Sequence, residues 1–466
     1  MLGFHIENFG CRAARADGEA IAGALHAAGQ CDGHAADVVI VNTCSVTAEA
    51  DRAARAYIRR THRRNPAAKI VVTGCYAQRA PQELAAMAGV AAVVGNSHKA
   101  LAPEIVLDLA RGADRATSQS PNLVPVASLF AANSPQFAAS ATPAPIWADD
   151  RFAHSFIEDA PLAPGEQTRP NLKIQEGCGN RCTFCVIPFT RGPSKSLPHA
   201  VVMQRVEGFV AAGGKELVLS GINLGRFSSG SGRETLAGLV RDILENTALP
   251  RLRLSSIEPM DWNDELIALM RESGGHRLAR HAHLPLQSGS DAVLRRMHRR
   301  YRPWHYAEKV EALLCAVGSE LTLGADVMVG FPGETESEFA ETVDFVRALP
   351  FGYLHLFPFS PRPGTRGWAL HEASPIPAKT VDERMAALRA LAAEKTADHR
   401  RQFVGRTLAA ITLHTPAALA AQGATEALTE NFIPIVLEGH FAANELLKIR
   451  ATGLNAEGFL TAQAGA

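Results

Sequence analysis

Three cysteines stand in one short stretch, Gly177-Cys178-Gly-Asn-Arg-Cys182-Thr-Phe-Cys185. The gaps of three and then two residues are tight turns, and they can bring three thiolates onto three corners of one cubane cluster. A structural zinc site closes four ligands around its ion, and no fourth cysteine lies nearby. The triad therefore points to a cluster with one metal position kept open, where a small molecule can bind. A zinc knuckle is the competing reading.

A second set of thiols is dispersed, and only the elements around it bring it together. Leu2 to Ile6, Asp37 to Asn42 (DVVIVN), Lys69 to Thr73 (KIVVT) and Val90 to Val94 read as strands, with helical patterns over Ala14 to Ala28 and Thr47 to Arg64. That alternation predicts a small parallel α/β sheet. Cys44 and Cys75 each follow a strand directly, and Cys11 follows the first strand within a short loop. The carboxyl ends of parallel strands share one edge, where ligands gather. We therefore expect Cys11, Cys44 and Cys75 to meet there and hold a second cluster, although any one buried cysteine alone reads better as apolar filler. Cys31 and Cys315 have no such partners and are read as structural.

From Asn171 the alternation resumes with longer periods. The candidate strands are NLKIQ, KELVLSG (215–221), RLRLSS (251–256), HLPLQ (283–287), LTLGADVMVG (321–330) and YLHLFPF (353–359), which predict a partial TIM-like barrel with chemistry at the strand C-terminal ends. The cysteine loop follows the first of these strands. Beyond about Arg401 the segments AAITLH, FIPIVLE, LLKIRATGL and GFLTAQ suggest a small β-barrel. Between Ala116 and Ala148 there is no charged residue and much Ala, Ser and Pro, the composition of a linker whose Leu123, Phe130, Phe137 and Trp147 can dock on a neighbour.

At 466 residues with 47% apolar and 20% charged content, the chain reads as a soluble protein of two or three domains. Its N-terminus has no basic region leading into an apolar one, and no apolar run approaches a membrane span, so a reducing cytoplasm is expected. Formal net charge is zero, but two stretches are locally basic. Arg52 to Lys69 holds six arginines and no acid, with Arg52, Arg55, Arg59 and Arg63 at helical spacing; Ala292 to Ala307 holds five arginines and no acid. Either is commonly a solvated face. Beside candidate chemistry they also suit a polyanion, and Tyr301, Trp304 and Tyr306 near Arg299 and Arg300 suit base stacking.

The Cys-x3-Cys-x2-Cys spacing, with Phe184 before the last cysteine, resembles the signature of radical S-adenosylmethionine (SAM) enzymes. In that family the open iron chelates SAM and cluster reduction cleaves it to a 5′-deoxyadenosyl radical. Gly213-Gly214-Lys215-Glu216 resembles the family's glycine-glycine-glutamate contact to the SAM methionine. Ser256 and Glu258 after the third strand, and Gln287 after the fourth, fit the same cavity as cofactor-binding residues, with Phe184.

With the N-terminal cysteines and the C-terminal barrel, nearly the whole chain resembles the methylthiotransferases. The resemblance implies a methylthiotransferase domain over 1–112, a linker over 113–163, a radical SAM core over 164–396 and a TRAM-like RNA-binding barrel over 397–466, with Thr429-Glu-Asn-Phe-Ile-Pro434 its best-matching stretch. It assigns an auxiliary 4Fe-4S cluster to Cys11, Cys44 and Cys75 and the SAM-cleaving 4Fe-4S cluster to Cys178, Cys182 and Cys185. RLRLSSIEP, LSGINLG (219–225) and HLFPFSPRPGT (355–365) resemble the branch that adds a methylthio group to C2 of N6-threonylcarbamoyladenosine at position 37 of tRNA. The partners implied are tRNA, an electron donor such as flavodoxin or ferredoxin, and a sulfur source. The competing substrates are isopentenyladenosine in tRNA and a ribosomal protein aspartate; the competing non-enzymes are an iron-sulfur electron carrier and an RNA-binding protein. The chain departs from the family pattern at Arg12-Ala13-Ala14 and Lys195-Ser196-Leu197.

Overall fold

The structure, a computed structural model, describes residues 3–33, 36–111, 143–157, 162, 168–230, 234–273 and 277–465. The chain forms two compact units: Met1–Leu162 with Gln175–Ser196 and Ser360–Ala369, and Ala163–Ile174 with Leu197–Phe359 and Leu370–Ala466.

The first unit is built on a parallel sheet of β1 (Gly3–Asn8), β2 (Cys31–Asp32), β3 (Val38–Thr43), β4 (Lys69–Gly74), β5 (Val90–Gly95) and β6 (Ile146–Trp147), in the order β2-β1-β3-β4-β5-β6. Its central strands are runs of valine and isoleucine because both faces are covered. One face packs Val39, Val41, Ile70 and Val72 against Ala54, Ile58 and Leu84, and the other packs Val38, Ile40 and Val71 against Ile21, Leu25 and Val106. Each fully buried branched side chain contributes roughly 1.5–3 kcal/mol. The helix Ala48–Arg64 starts where the Thr47 hydroxyl accepts from the Ala50 N–H at 3.2 Å, with Glu49 and Asp51 in its first turn and Arg63 and Arg64 in its last, matching its dipole. Of the stretch read as a linker, 113–142, 158–161 and 163 lie outside the described residues, with Leu123, Phe130 and Phe137; Trp147 lies in the edge strand β6.

In the second unit, β7 (Asn171–Glu176), which runs on into the first unit for its last two residues, lines up with β9 (Glu216–Gly221) and β12 (Arg251–Leu254) in the order β12-β9-β7. In the first unit those last residues, Gln175 and Glu176, pair antiparallel with β8 (Lys195–Ser196). A short hairpin joins β10 (Ser228–Ser229) to β11 (Glu234–Thr235). A second parallel sheet contains β13 (His281–His283), β14 (Thr322–Val329) and β15 (Phe351–Pro358), bridged to β12 at Leu252 and Leu278. The strand expected over 283–287 is thus mostly shifted: β13 stops at His283 because Pro285 has no N–H for the ladder, and Gln287 takes φ 65° beyond it.

The C-terminal segment closes a barrel of β16 (Thr407–Thr412), β17 (Ala424–Thr429), β18 (Pro434–Glu438), β19 (Leu446–Leu454) and β20 (Leu460–Ala464), packed around Phe403, Leu408, Ile435, Leu437, Ile449 and Leu460. The stretch that best matches an RNA-binding barrel faces inward. Thr429, Glu430 and Asn431 are buried, Glu430 bonds Arg280, and the Asn431 amide donates to the Glu320 carbonyl at 3.1 Å. Phe432, at φ 68°, lays its ring 4.4 Å from that of His281 and 5.4 Å from that of Tyr353. This loop fastens the small barrel to the core of its own unit.

Candidate functional site

The dispersed cysteines sit at the ends of neighbouring strands. Cys11 caps the helix Arg12–Ala27 just beyond β1, Cys44 follows β3, and Cys75 opens the short helix Cys75–Arg79 at the end of β4. The adjacency β1-β3-β4 puts all three at one sheet edge. The loop before Cys11 runs tightly against Cys44: Gly10 has φ +105°, and a Cβ there would stand 2.4 Å from the Cys44 Cβ and 2.7 Å from its Sγ. Cys44 and Cys75 are buried and Cys11 is exposed.

Electrostatics registers the convergence. Burial, reinforced by the charges of Cys75 and Cys11, pushes the Cys44 thiol up to about 12, against the opposing pull of the Val46 N–H and Arg191. A buried thiol beside two other cysteines needs a cation to become a thiolate. Neither cysteine triad is gathered to the spacing of ligands on one ion; among the described residues, the group whose ligand atoms all lie within 4.8 Å is His283, Asp326 and His355. A cluster takes its thiolates on separate metal corners, and a sulfur-only donor set is the chemistry of an iron-sulfur cluster.

Around Cys75 lies a fully buried polar group. The Arg191 Nε donates to the Cys75 Sγ at 3.2 Å, and its Nη1 donates to Asp17 at 3.1 Å and to Glu176 at 2.8 and 3.1 Å. Lys99 bonds the same carboxylates at 2.6 and 3.4 Å. Burial opposes the charge on Arg191, but Cys75, Glu176 and Asp17 outweigh it and hold its pKa well above the usual value. The Asn96 amide donates to the Cys75 sulfur at 3.4 Å and to the Thr190 carbonyl at 2.8 Å. On the Cys44 side, Arg79 and Arg362 both donate to Asp51, at 2.8 and 2.7 Å.

The loop triad lies in the same unit and is more open, with Cys178, Cys182, Cys185 and Phe184 half-buried. Its entry is fixed by backbone. Gly177 has φ +70°, a Cβ there would meet the Pro193 carbonyl oxygen at 2.1 Å, and the Cys178 N–H donates to the Gly192 oxygen at 3.1 Å. The Asn180 N–H approaches the Cys178 Sγ at 3.4 Å, and the Gly367 N–H donates to the Thr183 oxygen at 2.7 Å. Arg191, at the end of the helix Ile187–Arg191 after the loop, donates to Cys75 and is held by Glu176, immediately before the loop.

Several sequence expectations need correction. Glu216, read as a SAM contact, is wholly buried at the start of β9 and is bound by Arg253 at 2.7 Å, Arg169 at 3.2 Å and Arg251 at 3.3 Å. Those guanidiniums hold its carboxyl down at about 2 despite burial. Gly213, at φ +84°, makes the left-handed turn after the helix His199–Ala211, and a Cβ on Gly214 would strike the Phe209 ring at 2.2 Å, so the first glycine serves the turn and the second the packing.

Arg299 is no polyanion contact: it is buried, bonding Glu258 at 2.5 and 2.7 Å and Tyr301 at 3.2 Å. Tyr301 and Tyr306 are core residues whose hydroxyls bond backbone carbonyls at Pro285 and Leu284, so neither ring can stack on a base. Arg300 and Trp304 remain exposed. Ser256 and Glu258 are half-buried after β12, and Gln287 is buried at its φ of 65°. On the helix Ala48–Arg64, Arg55 turns inward to Tyr76 and Glu83, Arg52 pairs with Glu49, and Arg59 and Arg63 are exposed. Sequence reasoning missed Asp17, Lys99, Glu176 and Arg191; the one local signal was an acid and an arginine bracketing the cysteine loop.

Two family models match, Uncharacterized protein family UPF0004 over residues 3–95 and the Radical SAM superfamily over 172–346. Threonylcarbamoyladenosine tRNA methylthiotransferase MtaB of Aquifex aeolicus is 34% identical over 414 residues, 89% of this chain and 90% of that one. Its counterpart of the same name in Bacillus subtilis is 33% identical, covering 87% and 82%. The tRNA-2-methylthio-N(6)-dimethylallyladenosine synthase of Cereibacter sphaeroides is 33% identical, covering 86% and 85%. Among solved structures, the radical S-adenosylmethionine methyltransferase TsrM from Kitasatospora setae shares the fold with a TM-score of 0.52 at 16% identity, over 79% of this chain and 77% of that one.

Proposed function

Because the chain belongs to the radical SAM tRNA methylthiotransferases, whose cofactors are SAM and 4Fe-4S clusters, we propose that it methylthiolates C2 of N6-threonylcarbamoyladenosine at position 37 of tRNA. In this reading Cys178, Cys182 and Cys185 hold the SAM-cleaving cluster, and Cys11, Cys44 and Cys75 hold the auxiliary one. The observation that supports it is the placement of Cys11, Cys44 and Cys75 at the ends of the adjacent strands β1, β3 and β4, with the loop before Cys11 packed against Cys44, within the unit that also contains the cysteine loop.

When bound, the clusters and SAM supply one-electron chemistry that opens the adenine C2–H position, which no protein acid or base deprotonates at neutral pH, and a metal-held sulfur to place there. The chain's own residues divide the work. The half-buried loop triad leaves its site accessible to a small molecule, with the bond from the Cys178 N–H to the Gly192 oxygen fixing the loop's entry. Burial of Cys44 and Cys75 limits water on their side of the strand-end site, while Cys11 is exposed. Exposed Arg59 and Arg63 offer cations to tRNA phosphates. The printed names of the MtaB relatives support the threonylcarbamoyl substrate; the dimethylallyl synthase, at similar identity, supports isopentenyladenosine as the second reading. A cytoplasmic setting, with a flavodoxin- or ferredoxin-type electron donor and a sulfur source, completes the proposal.

The test is anaerobic reconstitution, iron analysis, and reaction with SAM, sulfide, a reductant and tRNA carrying either modified adenosine, read by nucleoside mass spectrometry. We expect about eight irons per chain, and a methylthio group on the threonylcarbamoyl nucleoside. Methylthiolation of isopentenyladenosine alone would overturn the substrate assignment, and about four irons would overturn the second cluster.

A further inference from the structure

The Cys75 sulfur accepts from two buried side chains, Arg191 and Asn96. Its nearest polar neighbour is a guanidinium, fully buried and fixed on its other side by two carboxylates. Within the group formed by Arg191, Lys99, Asp17 and Glu176 the formal charges balance, which is what makes its burial tolerable. The balance is not uniform in space. Arg191 is the cation that touches sulfur, at 3.2 Å, whereas Lys99 is held on the carboxylates at 2.6 and 3.4 Å. The group therefore presents its positive end to Cys75. Its donor capacity is also not used up: the Arg191 Nη2 is buried with no hydrogen-bond partner among the described residues.

We infer that Arg191 is a positioning residue for the strand-end cluster, donating a charge-assisted hydrogen bond to the Cys75 sulfur and holding that cluster at a higher reduction potential than its thiolates alone would give. The inference rests on the reading of Cys11, Cys44 and Cys75 as cluster ligands. The physical reason is that a cluster gains negative charge on reduction. An N–H donor and a nearby cation favour the more negative state, and a dry, low-dielectric setting strengthens the effect. Asn96, a neutral donor at 3.4 Å to the same sulfur, contributes less. Asp17 and Glu176 keep the guanidinium pointed at sulfur and moderate its charge. Because Arg191 and Glu176 bracket the other cysteine triad in sequence, the segment that carries one cluster site also sets the potential of the other.

The test uses the full chain with Cys178, Cys182 and Cys185 replaced by alanine, so that the strand-end site alone is reconstituted. Its midpoint potential is followed by spectroscopic redox titration in this background and with Arg191→Gln or Glu176→Gln added. Arg191→Gln is expected to lower the reduction equilibrium constant by about tenfold, a fall of about 59 mV for a one-electron couple. Glu176→Gln, which removes a moderating charge while preserving shape, is expected to move the potential upward. Potentials unmoved by both substitutions, with iron content intact, would overturn the inference. If Arg191→Gln loses its iron, the direction of the shift in Glu176→Gln decides alone, and no rise counts against it. Absence of iron from the parent background is a different failure, that of the cluster assignment to Cys11, Cys44 and Cys75.

Discussion

Glu176 and Glu216 are both wholly buried carboxylates at one end of a parallel strand, each bound by more than one cation. Glu216 opens β9 and gathers three arginines, one of which, Arg253, passes the contact on to the Thr429 carbonyl of the small barrel. Glu176 closes β7 and shares Arg191 and Lys99 with Asp17, and the arginine passes the contact on to a sulfur. The first group ends in backbone and serves packing. The second ends in a cysteine sulfur. Burial and ion pairing alone therefore do not mark a site; the atom at the end of the network does.

The largest expected effect tests that distinction directly. Truncating either glutamate to alanine leaves buried cations uncompensated and is expected to cost about 3–5 kcal/mol, read as a fall in denaturant midpoint. The two should part in spectroscopy. Glu216→Ala is expected to leave the absorption and magnetic signature of the reconstituted strand-end cluster unchanged, and Glu176→Ala to alter it. A Glu216 variant with an altered cluster signature would break the comparison.

Sequence reasoning read Glu216 as a SAM contact and passed over Glu176, and the reason is physical. Gly213-Gly214-Lys215-Glu216 has a recognisable local pattern, but a pattern does not say at which end of a strand a side chain falls or that three arginines from Arg169 to Arg253 converge on it. Glu176 gave little pattern beyond Arg191 across the cysteine loop, because its other partner Lys99, and Asp17 that shares both cations, are 77 and 159 positions distant and only the fold brings them near. Cys178, Cys182 and Cys185 were legible because one loop holds all three. Cys11, Cys44 and Cys75 were legible at one remove, since valine-rich strands announce a parallel sheet and a parallel sheet aligns its ends. The basic run around Arg299 misled for the opposite reason: charge spacing does not reveal that Glu258 draws one arginine inside.

Acid offers a second way to separate the two glutamates. The folded-state pKa of Glu216 is depressed to about 2 by its arginines, below the ordinary carboxylate value of 4.5. Its stabilisation is therefore complete above pH 4.5 and is lost as the pH falls through 2. At 1.36 kcal/mol per pH unit the difference amounts to about 3 kcal/mol. Denaturant midpoints measured from pH 5 to 2 should fall more steeply in the parent chain than in Glu216→Gln. Parallel profiles would show that the ion group contributes no pH-dependent stability.

A smaller effect bears on the sulfur side alone. Alanine at Gly10 must accept φ +105° and a Cβ 2.4 Å from that of Cys44. We expect a loss of about 1–3 kcal/mol, with lowered iron occupancy confined to the strand-end site. Equal loss at both cluster sites would mean that Gly10 supports the unit as a whole.

The smallest effect concerns what surrounds the chemistry. Arg59 and Arg63 project from the helix Ala48–Arg64 without being drawn inward as Arg55 is, and Arg299 is spent on Glu258. If exposed arginines contact tRNA phosphates, each should contribute roughly one unit to the slope of log affinity against log salt. Arg59→Ala and Arg63→Ala are then expected to weaken tRNA binding modestly and uniformly across sequences, each lowering that slope by about one. Arg299→Lys keeps the buried charge and should leave the slope unchanged even where stability falls. A slope that drops with Arg299→Lys and not with Arg59→Ala would reverse the assignment of solvent-facing and buried arginines on which the contrast depends.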